Sequence, residues 1–174
     1  MSDREGDVRV LVSAGTKHGA TAEIGAHIGE MLRQRGFDVT VAEPDDAKPD
    51  AGYDAIVLGS GVYAGHWLKD AKHLADRIAA GGPAPPVWAF SSGPLGDPPK
   101  PDEDPVDVAG IVALVAPIEH RIFAGRIDKS DLSFGERAIM VAVRAPDGDF
   151  RDWDEIAAWA NGIADTLERP LETA

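Results

Sequence analysis

The sequence predicts one α/β domain in which a doubly wound parallel sheet carries helices on both faces. Two observations support this. Short apolar runs alternate with helix-periodic segments along most of the 174 residues, and that alternation folds as a parallel sheet with crossover helices. Several of the runs are also apolar without interruption and stop at Gly or Ser, as strands buried on both faces do.

Each element has its own signal. A β-branched run over 8–12 is the first strand, ending at Ser13-Ala14-Gly15. Helical spacing over 22–35 puts Ile24, Ile28, Met31 and Leu32 on one face, and Gly36 suits the left-handed position after a helix. Residues 37–41 alternate like a half-buried strand. The Pro/Asp-rich stretch 44–50 stands where a crossover helix belongs and reads as a loop or single turn. A buried strand over 55–58 stops at Gly59-Ser60-Gly61. Leu68, Ala71, Leu74, Ala75 and Ile78 mark a second helix, closed by Gly81-Gly82. Another buried strand spans 86–90 and halts at Ser91-Ser92-Gly93-Pro94. After a loop over 95–105, Asp104 and Pro105 suit the cap and first position of a helix carrying Val108, Ile111, Val112 and Val115. The more polar strand 119–123 belongs at a sheet edge, and 132–143 fits either a helix or a strand. Asp152 caps the last helix, whose apolar stripe is Trp153, Ile156, Ala160, Ile163 and Leu167. The domain is expected over 8–168, between a flexible N-terminus at 1–7 and a tail at 169–174.

Composition narrows the function. With 17 Lys+Arg against 30 Asp+Glu the net charge is −13, which repels phosphate backbones and argues against nucleic acid. The absence of cysteine rules out disulfides, thiolate nucleophiles and Cys-held metals. Met1 to Asp7 has no apolar core of a signal peptide, and no run approaches the ~18 apolar residues of a membrane span. A soluble, cytoplasmic protein is expected. The five histidines lack H-x-x-x-H spacing, and no Gly-x-Ser-x-Gly elbow occurs, so no metal site or serine hydrolase is expected.

In an open parallel sheet, ligands bind beyond the carboxyl ends of the strands. Three loops there carry chemistry. Thr16-Lys17-His18-Gly19-Ala20-Thr21 joins a strand to a helix, where converging N–H groups and the helix dipole favour an anion. It is neither a Walker loop nor a Gly-x-Gly-x-x-Gly fingerprint. Equally, it fits a plain turn that starts a helix. Ser60-Gly61-Val62-Tyr63-Ala64-Gly65, followed by His66 and Trp67, offers aromatic surface for a flat ring; Trp67 also fits packing against its own helix, and His66 a solvated loop. Ser92-Gly93-Pro94-Leu95 supplies small residues and donors for polar ring atoms. The acids Asp97, Asp102, Glu103, Asp104 and Asp107 that follow read as a solvated loop.

These loops resemble those of flavodoxins, which carry Ser/Thr-x-Thr-Gly-Asn-Thr after the first strand. Thr16, Gly19 and Thr21 match that pattern, while His18 and Ala20 replace its middle Thr and its Asn. The chain is most similar to flavodoxin-domain proteins of the protoporphyrinogen oxidase type, through the Lys17-x-Gly19 loop, Gly59 to His66, Ala124-Gly125 and Asp152-Trp153. It departs from the quinone-linked oxidases in having the compact acidic stretch 144–151 in place of a long basic and apolar insertion. The resemblance implies a five-stranded flavodoxin-like sheet of order 2-1-3-4-5 and a non-covalent FMN. Residues Thr16 to Thr21 would then hold its phosphate, Ser60 to Gly65 would flank its ring, and Ser92 to Leu95 would line the other side. Implied roles are an electron carrier with basic-surfaced redox partners, an FMN-dependent oxidoreductase with a small-molecule redox substrate, or a binding module without cofactor. On the carrier reading, the acidic surface would lower the flavin's reduction potential.

Overall fold

Strand β3 (Ala55–Tyr63) lies between β1 (Arg9–Gly15) and β5 (Val87–Ser92), parallel to both, in a computed structural model that describes residues 7–63, 66–93, 108–127, 148–149 and 151–169. The path is completed by β2 (Asp38–Ala42) beside β1 and by β6 (Glu119–Phe123) beside β5, giving the order β2-β1-β3-β5-β6. A two-residue strand β4 (His66–Trp67) folds back antiparallel on the end of β3 and was not anticipated. With that hairpin strand set aside, the order is the expected 2-1-3-4-5. A separate ribbon pairs β7 (Arg126–Ile127) with β8 (Gly148–Asp149).

Period-2 alternation sorts the strand side chains onto two faces. Val10, Val12, Val57, Trp88, Phe90 and Phe123 pack under α1 (Ala20–Gln34) and the last helix, α4 (Trp153–Glu168). Leu11, Ile56, Leu58, Val87 and Ala89 pack under α2 (Lys69–Ala80) and α3 (Val108–Val115). Among the described residues two helices cover each face, and β3 is buried from both sides. Arg35, at the end of α1, holds α4 through Asp165 at 2.7 Å, Glu168 at 2.8 Å and Asn161 at 3.1 Å. These hydrogen-bonded carboxylates raise its pKa above the ordinary guanidinium value.

Several boundaries differ from expectation. β1, β3 and β5 run on through Gly15, Tyr63 and Ser92, so residues assigned to loops are strand residues. Ladder pairing, which the apolar pattern does not report, carries them past their last apolar residue. Val41 and Val112 are 40% and 43% exposed although both sat on predicted apolar faces. The stretch 44–50 is turns, as expected. It is anchored by Arg77 of α2, which donates to the Ala47 carbonyl at 2.7 Å and to the Pro44 carbonyl, while Ala47 plugs the core where a helix would pack. Asp152 caps α4 by accepting from the Glu155 N–H at 3.1 Å. Asp104, Pro105, the acids at 97–107 and the segment 132–143 lie outside the described residues.

Gly59 shows how tightly the sheet's centre is packed. A Cβ there would lie 2.2 Å from Phe90 Cζ, inside a ring cluster that also holds Phe123 and Trp159. Gly59→Ala is expected to destabilise the fold by about 1–3 kcal/mol through overpacking; urea denaturation measures this, and an unchanged midpoint would contradict the packing described.

Candidate functional site

The connection from β1 to α1 turns at Gly19, which is the N-cap of α1 with φ 91°. No described residue lies within 4 Å of where its Cβ would be, so the left-handed turn leaves its backbone uncovered by them. Thr16 Oγ1 accepts the Gly19 N–H at 2.9 Å and fixes the turn. No side chain caps α1, and the first helical bond runs from the Glu23 N–H to the Gly19 carbonyl at 3.0 Å. The N–H groups of Ala20, Thr21 and Ala22 thus have no acceptor within the helix. With the dipole behind them and exposed Lys17 beside them, they form a cradle for an anion. Thr21 contributes only backbone, because its side chain is buried. A groove of about 480 Å³ adjoins the loop between Thr16, Lys17, Asp45, Leu68, Asp70 and His73, within the size range of ligand clefts.

At the end of β3 the predicted ring-flanking residues divide. Ser60 Oγ accepts the Leu68 N–H at 2.9 Å and donates to the Gly61 carbonyl at 2.8 Å, and Val62 belongs to the core under α2. The side chains of both residues are committed inward. Tyr63 pairs with His66 across the β3–β4 hairpin, and His66 is exposed. Ala64 and Gly65, at the hairpin's tip, lie outside the described residues, as do Pro94 and Leu95. At the end of β5, Ser92 is buried against Gly125, and Gly93, at φ 74°, is buried as well. The Gly93 N–H donates to the Phe123 carbonyl at 2.9 Å. Gly19 therefore presents backbone at the carboxyl edge of the sheet, whereas Gly93 is buried there with its N–H already bonded.

A buried hydrogen-bond chain behind this edge gave no local sequence signal. Trp67 Nε1 donates to Ser91 Oγ at 2.8 Å, and Ser91 Oγ is 2.8 Å from His120 Nε2. The chain links the hairpin, β5 and the edge strand β6, so Trp67 is a core residue that shares the cluster under its own helix, α2, and is held by a polar partner as well. Ser13 presents the contrast: its hydroxyl is buried, with the residue 1% exposed, and has no hydrogen-bond partner among the described residues.

Arg151, within the compact acidic stretch 144–151, joins the first turn of α1 without any local sequence pattern that marks it for this contact. Its Nε and Nη2 donate to the two Asp149 carboxylate oxygens at 2.9 and 2.7 Å. Nη1 donates to Glu23 and, at 3.3 Å, to the Ala20 carbonyl in the first turn of α1. The guanidinium stands 4.6 Å from the centre of the Trp153 ring. Hydrogen bonding to Asp149 raises the Arg151 pKa, and the same bond lowers that of Asp149 below its ordinary 3.8. Only the neighbourhood of Trp153 hinted at such a role, since aromatic faces attract guanidinium groups.

Residues 11–154 match the sequence profile of the Flavodoxin domain. The chain belongs to that family. Among solved structures, a flavodoxin from the domain Archaea superposes with a TM-score of 0.61 at 18% identity, covering 92% of this chain and 99% of that one. The oxidised Flavodoxin 1 from Bacillus cereus gives 0.57 at 13% identity, over 93% and 99%. Rubredoxin oxygen:oxidoreductase from Desulfovibrio gigas gives 0.64 at 13% identity, over 92% of this chain but 36% of that one. At these identities the likeness is one of fold. No curated protein matches the sequence. Among the described residues, no helix is long and apolar enough to cross a membrane.

Two tests follow from the buried polar groups of this flavodoxin-domain protein. Ser91→Ala removes the hydroxyl that bridges Trp67 and His120 and is expected to cost about 1–3 kcal/mol, whereas Ser13→Ala removes a buried hydroxyl with no partner among the described residues and is expected to stabilise by about 1 kcal/mol; denaturant titration of both variants checks the opposite signs. The lowered Asp149 pKa contributes stability that is present above the ordinary value of 3.8 and is lost as pH falls through the lower folded value. The Tm gap between wild type and Asp149→Asn should accordingly stay constant from about pH 7 to pH 5 and close below about pH 4.

Proposed function

We propose that this chain is an FMN-binding electron-transfer protein. The observation that carries the reading is the uncapped α1 turn at Gly19, located where the sheet order reverses between β1 and β3. In doubly wound sheets that switch point is where ligands sit. Its residues suit the phosphate end of FMN: a left-handed glycine, first-turn N–H groups with no acceptor within the helix, and Lys17. His18 and Ala20 lack the hydroxyl and amide of the flavodoxin pattern, so backbone donors and Lys17 carry more of the phosphate binding. At the other end, the β3–β4 hairpin of Tyr63 and exposed His66 stands beside the end of β5, where the ring of FMN would lie.

Bound FMN would supply one- or two-electron transfer, with the protein binding, orienting and electrostatically tuning it. The net charge of −13 opposes further negative charge on a reduced ring. The reading therefore includes a low reduction potential and redox partners with basic surfaces. A second reading makes the protein an FMN-dependent oxidoreductase of the protoporphyrinogen oxidase or quinone-linked kind. It is favoured by the exposed His66 opposite Tyr63, at the rim where a small redox substrate would stack.

Purified protein is expected to be yellow, to release FMN on denaturation, and to take it up again in a one-to-one titration. A colourless protein that takes up no FMN would overturn the reading and favour a binding module without cofactor. Lys17→Glu should weaken FMN by about tenfold or more, because a charge is inverted beside a dianion. Turnover of a quinone or porphyrinogen, lost in Tyr63→Ala, would select the oxidoreductase over the carrier.

A further inference from the structure

Glu23 is the one acid in the first turn of α1, a single turn from the N–H groups of the anion cradle. An acid there normally stabilises a helix by meeting the positive end of its dipole. A phosphate uses that same end, so an unpaired Glu23 would compete with it and repel it. Two cations meet this carboxylate. Arg126 Nη1 lies 3.6 Å from Glu23 Oε2, and Arg151 Nη1 donates to the same oxygen.

The two cations differ in setting. The Arg126 side chain is 29% exposed, whereas that of Arg151 is 5% exposed. A buried guanidinium requires partners that satisfy its donors. Arg151 finds them in Asp149, Glu23 and the Ala20 carbonyl, and its face stacks on Trp153. The pairing with Asp149 orients Arg151, so that its remaining donors reach 128 residues back along the chain to Glu23 and 131 back to Ala20. Arg151 thus shares the neutralisation of Glu23 with Arg126 and itself adds a hydrogen bond to the first turn of α1.

We propose that Arg151 is a positioning residue that makes the α1 cradle selective for a phosphorylated ligand, by neutralising Glu23 and holding the Ala20 carbonyl in line. The inference rests on the reading of this cradle as the phosphate site of FMN. It predicts discrimination between two flavins that differ only in the phosphate group: FMN and riboflavin.

The test titrates apo-protein with each flavin, followed by fluorescence quenching, for wild type and for variants whose fold is checked by circular dichroism. Arg151→Met should weaken FMN about tenfold and leave riboflavin unchanged within about twofold. Adding Glu23→Gln to Arg151→Met should restore most of the lost FMN affinity, since the unpaired charge is gone. Arg151→Lys, which keeps the charge, should retain most of the preference. If Arg151→Met does not fold, Glu23→Gln alone decides: freeing the positive charge should tighten FMN several-fold and leave riboflavin unchanged. Equal losses for both flavins without rescue, or no change in FMN affinity, would overturn the proposal and leave Arg151 a purely structural residue. Wild type that binds riboflavin and FMN equally would overturn it while leaving flavin binding in place. Wild type that binds neither would overturn the FMN reading itself.

Discussion

Strand β3 is hydrogen-bonded along both edges and covered on both faces, and this double burial organises the rest of the molecule. Its neighbours β1 and β5 lie on opposite sides, so the connections that leave them take their helices to opposite faces. That divergence opens a crevice at the carboxyl end of the sheet. Double burial also accounts for the sequence of β3, in which Ile56, Val57 and Leu58 are uniformly apolar and Gly59 makes room for Phe90. The hairpin strand β4 extends the same ladder, and Ser60 closes it by accepting the Leu68 N–H just before α2.

Electrostatics acts at two scales. Over the whole surface, a charge of −13 disfavours anions. At the first turn of α1 the balance is local: first-turn N–H groups and Lys17 face outward, and Arg126 and Arg151 lie against the single acid of that turn. The proposed phosphate site therefore asks for no change in the overall sign of the protein, because a helix N-terminus with its first-turn acid neutralised is a local exception to it.

Much of the architecture was legible because local pattern and final burial agree. Ile24, Ile28 and Leu32 repeat at helical spacing and are all buried in the core under α1. Asp152 has the side chain an N-cap needs, and it caps. The Pro/Asp-rich stretch 44–50 cannot form a helix readily, and turns take its place. Strand ends were less legible. Pairing carries β3 through Tyr63 and β5 through Ser92, beyond the apolar runs that mark them in sequence. The site loops consequently contained residues such as Ser60 and Val62 whose side chains turn into the core.

Sequence alone determined the alternation of elements, the small-residue turns at the strand ends and the acidity of the chain, because each depends on neighbours a few residues apart. Tertiary structure decided which face each strand-end side chain occupies, since ladder register sets that. It decided too that Ser91 bridges Trp67 and His120 while Ser13 has no partner among the described residues. It alone brought Arg151 to Glu23 and Ala20, across more than a hundred residues of chain. The reason is the same in each case: a buried polar group is satisfied by whatever the packed sheet and helices place beside it, and no local pattern records that neighbour.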